Sequence, residues 1–107
     1  MLFSSSLTPR RFERKSYQSK TIIFEWDLSH EATIHEISGG GAFVSSSKFI
    51  DKGKFITLRI ALPNSSSKST ILGKVVHHNE TKGRKGMGVE FIDIQASAQN
   101  ALIQFTR

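Results

Sequence analysis

From Ser19 onward the chain alternates apolar and polar positions in short runs broken by turn residues. The run "KFITLRIAL", residues 54–62, shows this most cleanly: Ile56, Leu58, Ile60 and Leu62 fall two apart and share one face of a strand, which should point inward. Before it, "KTIIFEW" (20–26) and "EATIHEI" (31–37) flank the turn formers of "DLSH" and read as a hairpin, followed by "AFVSS" (42–46). After it, "PNSSSKS" (63–69) is a polar loop. "TILGKVVHH" (70–78) then sets Ile71, Gly73, Val75 and His77 on one face and Leu72, Lys74, Val76 and His78 on the other. "NETKGRKG" (79–86) reads as a cationic hairpin loop, and "MGVEF" (87–91) closes the series with Met87, Val89 and Phe91 on one side. The β-branched and aromatic residues concentrated in these runs suit a pleated, half-buried surface.

The period changes in the tail, where Ala98, Ala101, Leu102 and Phe105 fall at i, i+3, i+4 and i+7, the stripe of an amphipathic helix. Six short antiparallel strands can hide one apolar face and their unpaired edges by curling into a barrel, with a helix plugging or flanking one end. The pattern therefore predicts an all-β fold, a six-stranded antiparallel barrel with a C-terminal α-helix. Residues 1–18 are Ser-rich, then basic, and show no period, so they read as a flexible arm ahead of a barrel and helix spanning 19–107.

A length of 107 residues suits one domain, and a domain this small buries only about two-thirds of its unfolded surface. The 15 Lys and Arg against 9 Asp and Glu leave +6, which favours an anionic partner or serves solubility alone. With no cysteine, disulfides, thiol nucleophiles and thiolate metal sites are excluded. No secretory signal and no membrane-length apolar stretch is visible, so no membrane insertion and a cytoplasmic location are expected.

Enzyme motifs are absent: there is no G-x-S-x-G, P-loop or H-E-x-x-H, and no catalytic residue is proposed. His77 and His78 are adjacent and point to opposite faces of a strand, so they cannot share one ion in simple geometry, and no metal site is expected. His35 and Glu36 diverge for the same reason, and Trp26 reads as core or barrel rim rather than a base-stacking platform. Two stretches remain. "HEISGGGAFVSS" (35–46) contains Gly39, Gly40 and Gly41, and clustered glycines mark a bulge, a turn needing positive φ or close approach of a ligand. "RRFERK" sets Arg10, Arg11 and Arg14 close together, and guanidinium groups match phosphate oxygens or the guanine O6 and N7 edge.

In this order and spacing, the two stretches resemble the bipartite signature of the PilZ family of bacterial cyclic di-GMP receptors, R-x-x-x-R and then [D/N]-x-S-x-x-G. Arg10 and Arg14 match the first half; Glu36, Ser38 and Gly41 stand at the second, and "LRIALP", "GKVVHH" and "GMGVEF" are similar to later strands of the family. The resemblance implies a six-stranded barrel whose arm folds over cyclic di-GMP, a ligand rather than a cofactor. Arg10 and Arg14 would grip guanine edges and phosphates, with Arg11 a third contact. The Ser38 hydroxyl would meet the ligand and Gly41 would let the chain turn beneath it, while Gly40, with Gly39, either admits the ligand or eases a bulge. The departure is Glu36 where the family has Asp or Asn: its carboxylate sits one methylene farther out, and a misplaced bond to a charged acceptor costs about 1.5–3 kcal/mol, roughly one to two decades in affinity.

The leading expectation is thus a receptor and adaptor whose ligand-ordered arm is read by an unidentified protein effector of motility, pilus or exopolysaccharide machinery. The alternative is a degenerate member that has lost the ligand and acts as a constitutive interaction module, with calorimetry and Trp26 emission as the readouts that separate them. A third reading, a single-stranded nucleic-acid-binding barrel, rests mainly on the +6 charge, and nucleic acid ranks last among the expected partners.

Overall fold

The computed structural model describes residues 15–46, 48, 50–63, 67–81 and 84–107. They form β1 (Lys15–Glu25), β2 (Leu28–Ile37), β3 (Gly41–Ser46), β4 (Phe55–Ala61), β5 (Lys68–Thr81), β6 (Arg84–Asp93) and α1 (Ala96–Phe105). The strands close into an antiparallel barrel in the order β1-β2-β3-β6-β5-β4, sealed where β4 pairs with β1 through Ile22–Arg59, Ile23–Leu58 and Phe24–Thr57. Closure removes both sheet edges, as the strand pattern requires of a small all-β chain.

The inward positions are those that the alternation selects. Ile23, Ile34, Ile37, Val44, Ile56, Leu58, Ile60, Ile71, Val75 and Met87 are buried in one cluster. Leu62, one residue beyond β4, packs against that cluster half-buried. The helix stops one end of the barrel with Leu102 and Ala98, both buried, so its apolar stripe has a single destination.

Three departures from the alternation have local causes. β1 begins at Lys15, so residues 15–18, read above as arm, belong to the barrel. Tyr17 packs on the core and its hydroxyl donates to the Ala61 carbonyl at 2.9 Å, but a register shift between Ser16 and Ser19 breaks the period there. Residues 79–86, read as a loop, are largely paired as Asn79–Gly86, Glu80–Lys85 and Thr81–Arg84, a ribbon running past the core that needs no apolar face. His77 is exposed rather than inward with Val75, because a shift in register between Val75 and His77 flips the face.

The two ends of the barrel differ. The start of β1, the end of β4 and α1 lie together, since Tyr17 reaches both Ala61 and the Phe105 ring. The β1–β2 turn, Trp26–Asp27, lies at the other end of the 11-residue β1, about 33 Å along the strand.

Candidate functional site

At the helix end, the chain between β2 and β3 makes a tight turn over Ser38–Gly41, closed by the Ser38 amide donating to the Gly41 carbonyl at 2.9 Å. The Ser38 hydroxyl, read above as a ligand contact, faces into this turn. Its oxygen accepts from the Gly40 and Gly41 amides, both at 3.1 Å, and it donates to the Gly41 carbonyl at 3.3 Å. With Ser38 only 5% exposed, the hydroxyl shapes the turn backbone instead of presenting itself at the surface.

The glycines are likewise committed internally. Among the described residues only Gly53 and Trp26 adopt positive φ, so none of Gly39, Gly40 and Gly41 is needed for a left-handed turn. What Gly41 supplies is clearance: a Cβ there would lie 2.5 Å from the Val89 carbonyl oxygen, where β3 pairs with β6. The Gly40 carbonyl accepts from the Phe91 amide at 2.9 Å, and the Gly39 carbonyl accepts from the Gln99 side-chain amide of α1 at 3.0 Å. The turn is pinned by β6 on one side and α1 on the other.

Beside it runs the start of β1. Lys15 pairs with Ile37 and Ser16 with Glu36, and the Lys15 ammonium lies 4.6 Å from the Phe105 ring centroid and donates to the Phe105 carbonyl at 3.4 Å. Helix α1 therefore touches the turn through Gln99 and the start of β1 through Phe105. Arg10, Arg11 and Arg14 lie outside the described residues.

Glu36 is exposed on the outer face, opposite Ser16 on one side and Phe43 on the other. The row continues through Gly88 to His77. The Phe43 ring covers Gly86 and the His77 ring covers Gly88, positions where a Cβ would collide with those rings. Next to Phe43, His35 is bridged by Gln18 and Ser45. The Gln18 amide donates to Nδ1 at 3.3 Å, which leaves Nε2–H to donate to the Ser45 hydroxyl at 2.7 Å. This outer surface brings together a carboxylate, three rings and a pinned turn.

Sequence reasoning missed Lys15, Tyr17, Phe43 and Gln99. An aromatic in the polar stretch "KSYQS" was a signal for Tyr17, whereas nothing near Gln99 marks its reach to Gly39. No three His, Asp or Glu side chains gather as a metal site among the described residues. His78 hydrogen-bonds the Ile50 carbonyl at 2.7 Å, away from the Gly88 that His77 covers. Trp26, 93% exposed, sits at the rim far from the turn, so its emission is not a direct probe of a ligand held there, contrary to the expectation above. No helix among the described residues is long and apolar enough to cross a membrane.

The family model for the PilZ domain matches residues 8–107. The chain belongs to the PilZ domain family. PilZ domains of known structure share its barrel. The Bacillus subtilis inhibitor of motility, MotI/DgrA, superposes with a TM-score of 0.81 at 21% identity, over 92% of this chain and 49% of that one. The PilZ domain of Escherichia coli YcgR, solved with c-di-GMP, gives 0.72 at 10% identity, over 92% and 89% of the two chains. Borreliella burgdorferi PlzA in complex with c-di-GMP gives 0.70 at 18% identity, covering 94% of this chain and 42% of that one. The chain thus spans about half the length of MotI/DgrA. No curated protein sequence matches it.

Proposed function

We propose that this PilZ domain is a cyclic di-GMP receptor that binds its ligand between the 10–14 segment and the turn at residues 36–41. The observation that carries the reading is the strand register: Lys15 pairs with Ile37 and Ser16 with Glu36, so the peptide leaving Arg14 enters the barrel beside the pinned turn. Arg10 is five residues ahead of Lys15, within about 18 Å of extended chain, which is short enough to keep its guanidinium near the turn and long enough to fold over a ligand. In this reading Arg10 and Arg14 donate paired hydrogen bonds to guanine edges and phosphates, Arg11 adds a third cation, and the Glu36 carboxylate accepts from the guanine N1 and N2 donors. Ser38 and Gly41 act by holding the turn, and Gly40 keeps a side chain away from the ligand.

No bond is made or broken; the function is recognition. An anionic ligand that binds a cationic segment changes the surface next to α1, and a protein effector in motility, pilus or exopolysaccharide machinery, in the cytoplasm, would read that change. Calorimetry tests it. Cyclic di-GMP should release or absorb measurable heat at tens of micromolar, cyclic di-AMP should not, and Arg10→Ala or Arg14→Ala should abolish the signal while leaving thermal stability in place. Absence of any heat at saturating cyclic di-GMP would refute the receptor reading. Glu36 in place of Asp or Asn favours the second reading in that event, a PilZ barrel that has lost the ligand and serves as an interaction module.

A further inference from the structure

Three consecutive glycines are poor material for a site that must keep one shape. Gly39, Gly40 and Gly41 have no side chain to restrict φ and ψ, so the chain between β2 and β3 loses more conformational freedom on ordering than other residues would. The shape of the turn has to be imposed by bonds from its surroundings.

Two successive peptide groups of the turn are each gripped at both polar atoms. In the group joining Gly40 to Gly41, the carbonyl accepts from the Phe91 amide at 2.9 Å and the amide donates to the Ser38 hydroxyl at 3.1 Å. In the group joining Gly39 to Gly40, the amide donates to the same hydroxyl at 3.1 Å and the carbonyl accepts from Gln99 Nε2 at 3.0 Å. Ser38 opens the turn and Phe91 belongs to β6, so three of these four bonds are in place once the strands have paired. The fourth comes from α1 and depends on where that helix docks. With Gly39 buried, loss of the Gln99 donor leaves the carbonyl short of a partner and favours other orientations of the peptide group, which the flanking glycines permit.

The same helix touches the other half of the proposed site. The Phe105 carbonyl accepts from Lys15 Nζ at 3.4 Å, that ammonium lies 4.6 Å from the Phe105 ring centroid, and Lys15 follows Arg14 in the chain. Gln99 and Phe105 are about 9 Å apart along the helix, so one rigid element reaches from the turn to the strand through which the 10–14 segment enters the barrel. At the Gln99 end the helix lacks its usual terminal supports: Gln95 at the N-cap makes no side-chain bond, and the first turn carries no acidic residue. The bond to Gly39 therefore steadies the helix as well as the turn.

We infer that Gln99 is a positioning residue for cyclic di-GMP: it holds the Gly39–Gly40 peptide group in the orientation that the ligand meets. The inference rests on the receptor reading above. A turn that occupies its competent shape only part of the time lowers the apparent affinity by that fraction, and it does so by slowing association. Once bound, the ligand itself restrains the turn, and dissociation is little changed.

Gln99→Met tests this, because methionine keeps the length, packing and helix propensity of the side chain and removes the donor. Calorimetry and surface plasmon resonance with cyclic di-GMP, at a temperature where circular dichroism shows each variant folded, should give a Kd about three- to tenfold weaker, the effect expected of one hydrogen bond. The loss should fall in the association rate. Gln99→Lys restores a donor on an equally long stem and should return both quantities toward wild type, measured in about 0.3 M salt to screen the added charge. Equal affinity in wild type and Gln99→Met overturns the inference alone, as does a loss confined to the dissociation rate, which would make Gln99 a direct contact. A Gln99→Lys variant as weak as Gln99→Met overturns it too, by assigning the effect to packing. A wild-type chain that takes up no cyclic di-GMP refutes the receptor reading and the inference with it.

Discussion

Gly41→Ala separates two explanations of the glycine cluster. If glycine stands there only to let a ligand approach, alanine should spare the fold and impair binding. The barrel says otherwise, because the added methyl would lie 2.5 Å from the Val89 carbonyl oxygen and 3.6 Å from the Glu90 Cα, backbone atoms of β6 that cannot swing aside. Forcing one extra carbon into a packed contact costs about 1–3 kcal/mol, and the reduced freedom of the unfolded chain returns about 0.4–1 kcal/mol. The net loss should be about 1–2 kcal/mol, and at roughly 4–8 °C per kcal/mol for a domain of this size the melting temperature should fall by about 5–15 °C. Thermal unfolding followed by circular dichroism, without any ligand, measures this directly. A variant that melts at or above the wild-type temperature would refute the internal-clearance account and return Gly41 to the ligand alone.

Ser38→Ala removes the acceptor for the Gly40 and Gly41 amides in a buried turn, so it should destabilise the domain by about 1–3 kcal/mol in urea unfolding and loosen the turn before any effect on binding is considered. Glu36→Asp should tighten cyclic di-GMP binding by about one decade in calorimetry, since it shortens the acceptor toward the family pattern and leaves fewer rotamers to fix; weaker binding would overturn that geometric account. Trp26→Gly should stabilise the domain by about 1 kcal/mol and raise the melting temperature by roughly 4–8 °C, because the two-residue turn between the paired Glu25 and Leu28 holds position 26 at a positive φ, and relief of that conformation outweighs the entropy that glycine loses; a lower melting temperature by circular dichroism would overturn this.

Most of the architecture was legible along the chain. The alternation of Ile56, Leu58 and Ile60 and the stripe of Ala98, Leu102 and Phe105 follow from the periods of strand and helix, which are properties of the local backbone, and both buried the faces that the pattern assigned. The family was legible in the same way, through the residue types and spacing of "RRFER" and "EISGGG". The tasks of the site residues were not. That Ser38 turns inward, that Gly41 makes room for Val89, that Gln99 reaches Gly39 across 60 positions and that His77 is flipped outward by a shift in register all depend on which strands become neighbours. Composition and period decide which side of a strand is apolar, whereas closing the barrel decides what each remaining polar group can touch, because pairing partners are brought together from distant parts of the chain and only their contact sets clearance, register and hydrogen bonds.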